Sequence, residues 1–420
     1  MKDKLRTVVF KAQYWGYEET DDNELFIHVS GLTKKQKTVQ VRIEGYTPQV
    51  YLELPKNIAW NEARCTLLFD YLQERLKSNA PLPPLSGRIS SIMRERDDLY
   101  CKKPMLTLKL SFPTQQASYK LQNLFNSSYR NASPYVNIPG LGNIKKDTLK
   151  VHEQNIDPML KYTASRDIKL AGWLKVKEKI RPSEKGLHPK KRQFTHNDID
   201  LYADFDQVSP VDVDDAFVNP KYCSFDFECY SKNHNSKLPD PDQEGNVAFQ
   251  FVATFGRVND PPEKRRVVAV SLFNPHDIEG CEVIRCKTEK DLLLTFAQLM
   301  YDENPDVFIG HNIMKFDWNY AIIRAKLLGC YPRFMKLLSR MKGKKAKEVK
   351  KKWASSAYGT QEFLYVDSQR VMVDTLLEIE RNYRLPSYSL NAVSEKFLGD
   401  KKIDISPREM FMFYQMTEEV

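Results

Sequence analysis

The chain has 420 residues, 41% of them hydrophobic and 28% charged, with a formal net charge of +9. It is long enough for roughly two to three domains with cores of their own, and too apolar to be disordered throughout. No apolar run approaches the ~18–20 residues that span a bilayer, and Met1-Lys2-Asp3-Lys4-Leu5-Arg6 lacks the apolar core of a secretory signal, so a soluble intracellular protein with no membrane partner is expected.

In chain order, the first part reads as β-rich. Leu25 to Gly31 and Thr38 to Glu44 are alternating or β-branched runs around the polar turn Thr33-Lys34-Lys35-Gln36-Lys37, which predicts a hairpin. Gly45-Tyr46-Thr47-Pro48 leads into the extended run Val50-Tyr51-Leu52-Glu53-Leu54. Apolar residues recurring at three and four predict helices over Trp60 to Lys77 and Thr114 to Asn126. Residues 1–180 are therefore expected to form a β-rich α+β domain.

Over 181–220 the composition shifts, with Pro182, Gly186, Pro189, Pro210 and Pro220 in strongly polar sequence, and the stretch reads as a connecting segment. Its aspartates Asp198, Asp200, Asp204, Asp206, Asp212, Asp214 and Asp215 match no EF-hand spacing, which favours a solvated acidic connector over a calcium loop. Seven cysteines without a CxxC pair predict buried, reduced thiols, as at Cys223, Cys229 and Cys330. The sequons at Asn126 and Asn131 then carry no glycan.

Residues 221–420 are expected to form an α/β domain. A strand at Tyr222 to Cys229 precedes a loop, Lys232 to Gly245, and two extended segments, Val247 to Arg257 and Arg265 to Phe273. A helix from Glu289 to Met300 follows, with Thr288 as N-cap and Leu292, Phe296 and Leu299 on one face. Next come a short strand, Val307-Phe308-Ile309, and a helix from Asp317 to Leu328 that Gly329 can end. Three strands and then alternating helix and strand describe a mixed sheet flanked by helices, the order with which a ribonuclease H-like architecture begins.

Two basic runs stand out. Arg340, Lys342, Lys344, Lys345, Lys347, Lys350, Lys351 and Lys352 form a dense one, and Lys175, Lys177, Lys179, Arg181, Lys185, Lys190, Lys191 and Arg192 a looser one. Such clusters attract phosphate backbones by counterion release, with Lys344 and Lys345 as candidate DNA contacts. A solvated loop and a localisation signal are the other readings of the same residues.

The hexad Phe225-Asp226-Phe227-Glu228-Cys229-Tyr230 places two carboxylates on one face of a strand, because successive side chains alternate. Tyr222, Ser224, Asp226 and Glu228 share that face, while Cys223, Phe225, Phe227 and Cys229 turn to a core. Asp317 follows in Gly310-His311-Asn312-Ile313-Met314-Lys315-Phe316-Asp317. Phosphodiester hydrolysis needs an activated water, an in-line approach and neutralisation of the leaving oxygen, which two divalent ions about 3.5–4 Å apart supply. Magnesium takes hard oxygen ligands and keeps several waters, so a few carboxylates hold such a pair. An isolated DxE is often accidental, and a lone Asp at a helix start is ordinarily a dipole partner. The three acids together, flanked by Phe225, Phe227 and Phe316, point to a metal-dependent nuclease.

The blocks YCSFDFECYS and DVFIGHNIMKFDWNYAIIRAKLLG resemble the first two exonuclease motifs of the family B DNA polymerases, delta-like ones of eukaryotes and large DNA viruses in particular. IDPMLKYTASRDIKLAGWLKV, SSAYGTQEFLYVDSQRVMVDTL and LPSYSLNAVSEKFLG match in the same order, so the resemblance covers nearly the whole chain. It implies an N-terminal domain followed by a ribonuclease H-like 3′-to-5′ proofreading exonuclease that acts in DNA replication. Asp226, Glu228 and Asp317 would be catalytic metal ligands for two Mg2+ ions, which Mn2+ can replace. Asn312 and Phe316 would touch the 3′-terminal nucleotides, an amide bonding phosphate or sugar and a ring stacking on a splayed base. The implied partners are single-stranded 3′ ends and primer-template DNA, the remaining polymerase domains or subunit, and a processivity factor, in a nucleus or viral replication site. His311 would be a loop residue with local hydrogen bonds.

Two departures qualify the resemblance. The family's third exonuclease motif, Tyr followed four residues later by Asp, has no clear counterpart after Gly399: Tyr414 meets Glu418 in too early a register, and Asp374 and Asp404 fall in structural blocks. The polymerase palm motifs are absent too, so the chain is expected to be a fragment or one part of a split enzyme, without polymerase activity and with weak or no nuclease activity of its own. The alternative is a nucleic-acid-binding module with an inactive exonuclease fold, and a stand-alone exonuclease is a third reading.

Overall fold

The computed structural model describes residues 6–78, 90–97, 104–125, 133–181, 183, 185, 187–213, 217–232, 239–355, 359–400 and 405–418. Asn126, Asn131, Asp214, Asp215 and Asp404 lie outside them, as do the side chain of Glu418 and residues 233–238 of the Lys232 to Gly245 loop. The chain forms a mixed α/β structure in two compact units, one comprising Met1–Gly31, Val39–Leu187 and Leu201–Asp214, the other Leu32–Thr38, His188–Asp200 and Asp215–Val420. No described helix is long and apolar enough to cross a membrane.

The first unit's elements are β1 (Thr7–Glu19), β2 (Leu25–Leu32), β3 (Thr38–Glu44), β4 (Gln49–Glu53), α1 (Glu62–Ser78), β5 (Ser90–Asp97), β6 (Pro104–Ser111), α2 (Gln115–Phe125), β7 (Tyr135–Ile138), β8 (Gly142–Lys145), β9 (Val151–His152), α3 (Pro158–Ser165), β10 (Trp173–Lys177), β11 (Ile199–Asp204) and β12 (Val208–Pro210). One sheet runs β11-β3-β2-β1-β10-β12. The expected hairpin forms its centre, and every residue of β2 is buried. Gly31 is required there, since a Cβ would lie 1.9 Å from the Lys11 carbonyl oxygen. A second sheet, β5-β6-β4-β9, buries Val50, Leu52, Leu108 and Leu110 against Leu68 and Leu72 of α1 and Leu121 of α2. At ~1.5–3 kcal/mol for each fully buried aliphatic side chain, this core is the main support of that layer.

The second unit continues with β13 (Lys221–Tyr230), β14 (Val247–Arg257), β15 (Arg266–Leu272), β16 (Glu282–Cys286), α4 (Glu289–Glu303), β17 (Val307–Gly310), α5 (Asp317–Leu327), α6 (Tyr331–Leu338), β18 (Lys347–Ser355), β19 (Gly359–Asp367), β20 (Val371–Asp374), α7 (Thr375–Asn382), α8 (Leu390–Leu398) and α9 (Pro407–Glu418). Its sheet runs β16-β15-β14-β13-β17-β20. β13, β14 and β15 pair antiparallel, whereas β13, β17 and β20 are mutually parallel. The alternation in β13 turns Cys223, Phe225, Phe227 and Cys229 inward. Phe225 and Phe227 meet Phe296 of α4 edge-on at 5.1 and 5.0 Å, and Trp318 of α5 meets Phe225 at 5.2 Å. The helix begins where expected, Thr288 Oγ1 accepting from the Asp291 N–H, and runs on to Asn304, whose left-handed backbone ends it.

Two buried arginines lock the starting ends of the parallel strands. Arg340 donates to Asp306 Oδ1 at 2.7 Å, and Asp306 Oδ2 accepts from the Lys221 N–H at 2.9 Å. Arg370, 4% exposed, donates to the carbonyls of Pro305 and Leu338. Burial and neighbouring Arg340 push its guanidinium well below its usual range. Carbonyl acceptors stand in for the water that a second charge would otherwise demand.

Candidate functional site

The opposite ends of those parallel strands carry the acids. Tyr222 to Ser224 pair with Val307 to Ile309, so Gly310 emerges from β17 beside the backbone of Phe225. Only glycine fits, because a Cβ at 310 would lie 2.9 Å from the Phe225 carbonyl oxygen and 2.2 Å from Ile313 Cγ2. The chain then makes one tight turn. Asn312 adopts a positive φ of 68°, and its carbonyl accepts from the Lys315 and Phe316 N–H groups at 3.2 and 3.0 Å. This turn delivers Asp317 to the first position of α5.

Asp317 is 1% exposed, and its Oδ1 accepts from the Phe227 backbone N–H at 2.9 Å. The carboxyl is thereby pinned to the strand one residue from Asp226. Burial, and then the charge of Asp226, push the Asp317 carboxyl up from 3.8 to about 7, while the Phe227 N–H acts in the other direction. Asp226 is exposed on the solvent face of β13. Glu228 is half-buried on that face, just before a register shift against β14. Under them lies the Cys229 thiol, raised by burial and by the charges of Asp317, Glu228, Glu289 and Asp226.

Asp374, at the end of β20, holds the turn in place. Its Oδ1 accepts from the Asn312 and Leu376 N–H groups at 2.8 and 3.1 Å, and its Oδ2 from the Met314 N–H at 2.9 Å. It thus caps α7 and positions the loop carrying Asn312 and Asp317. The resemblance puts Asp374 in a structural block, and its bonds show which backbone groups it serves; the strand-to-helix run Val373-Asp374-Thr375 is the cap signature that specifies the role. His311 is also engaged, Nδ1 with Thr375 Oγ1 at 3.0 Å and Nε2 with the Tyr388 carbonyl at 2.9 Å. Both ring nitrogens of this loop residue are spent on local hydrogen bonds.

Phe316 is half-buried against the core, its ring 5.7 Å from that of Tyr320. Met314 O accepts from the Leu364 N–H at 2.9 Å, and the Lys315 ammonium lies 5.5 Å from the Phe363 ring, so β19 walls one side of the turn. Lys344 and Lys345 are exposed on the connection between α6 and β18. They follow Met341 and Arg340, which belong to the starting ends of the strands, and so are not gathered with the carboxylates. Tyr414 is 8% exposed and packs on Tyr230, Phe249 and Phe273 at 4.6, 5.0 and 5.8 Å, which makes its ring part of the core.

Among the described residues, no group of three or more His, Cys, Asp or Glu side chains is arranged to hold a metal ion. What the site does contain is a carboxylate pair, Asp226 and Asp317, just past the carboxyl-end limit of the parallel pairing of β13 with β17, the side on which open α/β sheets take their ligands. Hard oxygen donors without thiol or imidazole suit magnesium or manganese.

Comparison with known proteins matches residues 149–393 to the family described as DNA polymerase family B, exonuclease domain. The chain is 29% identical to DNA polymerase 037L of Invertebrate iridescent virus 6, covering 96% of this chain and 33% of that protein. It is 27% identical to the DNA polymerase of Paramecium bursaria Chlorella virus NY2A, over 94% and 40%. The DNA polymerase delta catalytic subunit of Oryza sativa subsp. japonica is 25% identical over 90% and 33%. The chain therefore spans about a third of the length of such relatives. With more than half of its residues inside the family match, from the last strands of the first unit into the start of α8, the chain belongs to the DNA polymerase family B exonuclease family.

Proposed function

We propose that the chain is the N-terminal and proofreading portion of a replicative, delta-like family B DNA polymerase, removing mispaired 3′-terminal nucleotides from single-stranded DNA. The observation that carries the reading is the Asp317 carboxylate fastened to the Phe227 N–H beside Asp226. The strand order β15-β14-β13-β17-β20, with β14 antiparallel to its neighbours, supports a ribonuclease H-like domain over 221–420. Residues 1–180 would be the polymerase N-terminal domain, with 181–220 connecting the two.

Asp226, Glu228 and Asp317 would hold the divalent ions, Mg2+ with Mn2+ as substitute, and all three offer only oxygen donors. When bound, such ions lower the pKa of a coordinated water and neutralise charge on the scissile phosphate. The chain's own residues bind and orient the strand. Asn312 would contact the strand from a turn whose backbone Asp374 clamps. Phe316, half-buried beside Asp317, would offer a ring face to the terminal base, worth ~1–3 kcal/mol if the base stacks. Lys344 and Lys345 would meet phosphates farther along the DNA. The rest of the polymerase, primer-template DNA and a processivity factor are the partners this reading implies, in a nucleus or viral replication site.

The test is incubation with 3′-labelled single-stranded DNA and Mg2+ or Mn2+. The reading requires that any cleavage depend on Asp226, so Asp226→Ala must abolish all of it. Cleavage that survives both Asp226→Ala and Asp317→Ala would refute the assignment.

A further inference from the structure

The looser basic run does not end in a free connector. Residues 188–200 belong to the same compact unit as the acids, and they are docked there by specific bonds. Thr195 bridges antiparallel to Met341, the His196 N–H donates to the Arg340 carbonyl at 3.0 Å, and the Lys342 N–H donates to the Phe194 carbonyl at 2.9 Å. Asn304 Nδ2 donates to the His196 carbonyl at 3.1 Å, and the His196 ring stands 4.7 Å from Tyr301. The segment is also closed on itself. Asp200 Oδ2 accepts from the Phe194 and Thr195 N–H groups, both at 2.6 Å, and Gln193 Nε2 reaches the carbonyls of Asn197 and Asp198.

Just before this clamp the chain makes a single 3-10 turn, Pro189–Arg192, carrying Lys190, Lys191 and Arg192. Just after Met341 it turns again through Gly343, which has a positive φ of 75°, and exposes Lys342, Lys344 and Lys345. Phe194 lies two to four residues from the first group and is bonded to Lys342 in the second. At most ~14 Å of chain therefore separates the clamp from the farthest of the three connector cations. Two runs some 150 positions apart are thus joined through their neighbouring backbone, and the depressed basicity of His196, due to burial first and then to Lys342 and Arg370, fits a positive local field.

The joined turns sit by the starting ends of β13, β17 and β20, whereas Asp226 lies five residues up β13 from Lys221. At ~3.3 Å per residue the two are separated by roughly 17 Å of strand. We infer that Lys190 and Lys191 join Lys342, Lys344 and Lys345 in a second nucleic-acid contact, one that grips the phosphate backbone of single-stranded DNA beyond the nucleotides at the carboxylates. This inference rests on the proposed function, and it adds a site that the carboxylate cleft does not require. Ordered lysines on two clamped turns suit phosphates, which reward positioned charge without sequence reading.

The test measures binding of fluorescent oligo-dT of 20 and of 4 nucleotides by the whole chain across a salt series, with Ca2+ in place of Mg2+. Replacing Lys190 and Lys191 with Gln, or Lys342 and Lys345 with Gln, is expected to weaken the 20-mer about 5- to 10-fold at low salt. Each pair should lower the log–log salt slope by about 1.4, as loss of two single-strand phosphate contacts requires, and leave the 4-mer unchanged. A Lys190→Arg, Lys191→Arg double variant should bind as the unaltered chain does. Unchanged 20-mer binding in the Gln variants overturns the patch alone, since the Asp226 and Asp317 nuclease test is independent of it. Tighter, lysine-dependent binding of polyglutamate of matched charge would assign the patch to an acidic protein segment and also overturn the inference. A chain that binds neither oligonucleotide contradicts both this inference and the functional reading.

Discussion

Two buried aspartates sit at neighbouring strand ends and do opposite jobs. Asp374, 2% exposed, ends β20 and accepts three backbone N–H bonds, from Asn312, Met314 and Leu376. Asp317, 1% exposed, opens α5 after β17, accepts one from Phe227, and faces the charge of Asp226. A buried carboxylate surrounded by donors is a structural fixture, because its desolvation is repaid locally. A buried one with a single such donor and the charge of another acid beside it is compensated only in part, and a divalent cation is the natural remedy. The comparison separates scaffold from ligand at a place where composition alone offers two aspartates.

The largest expected effect is at the scaffold member. Asp374→Ala strands three N–H groups and uncaps α7, which should cost about 3–5 kcal/mol in urea unfolding, and Asp374→Asn should cost less because one acceptor oxygen survives. A loss under about 1 kcal/mol would show that the two aspartates do not differ as described.

Asp317 should behave in the reverse sense in metal-free protein. Its carboxyl titrates at about 7 when folded against 3.8 for the ordinary group, so the folded state keeps a proton that the unfolded chain has released. That favours folding fully below about pH 4, and the benefit is lost as pH rises to about 7. Asp317→Asn retains an acceptor for the Phe227 N–H and removes this slope, so its stability relative to the unaltered chain should improve between pH 4 and 8, by at most about 4 kcal/mol. Thermal melts in EDTA across that range check the sign, and a relative loss at pH 8 would break the comparison. Smaller still, Asp226→Asn should shift the Asp317 titration downward, and with it the pH range of the slope.

Much of this was legible locally. The alternation of Phe225, Asp226, Phe227 and Glu228 is a property of one strand, and Thr288 marks the start of α4 as an N-cap should. The convergence of Asp226 and Asp317 is expected from residue type and flanking aromatics and then from the resemblance, whereas its physical cause is the parallel register of β13 with β17 and the tight passage of Gly310. Such register is non-local and leaves no mark in periodicity. The lysine-rich stretch hid β18, whose pairing with β19 is helped by Lys351 over Tyr365 and by the Lys352–Glu362 pair. Charge density masked its strand pattern. Likewise the prolines and acids around Asp200 suggested a solvated connector, while Asp200 is 5% exposed and its bonds to Phe194 and Thr195 close a docked turn.

The central claim, that Asp226 and Asp317 form a divalent-cation site, is tested most directly by titrating the chain with Mn2+ at pH 7.5 and following the free-ion signal by electron paramagnetic resonance. The account predicts saturable uptake by the unaltered chain and by Asp374→Asn, with at least a tenfold weakening in Asp226→Asn and in Asp317→Asn. Uptake that is absent, or that is unchanged in both of those variants, would contradict it.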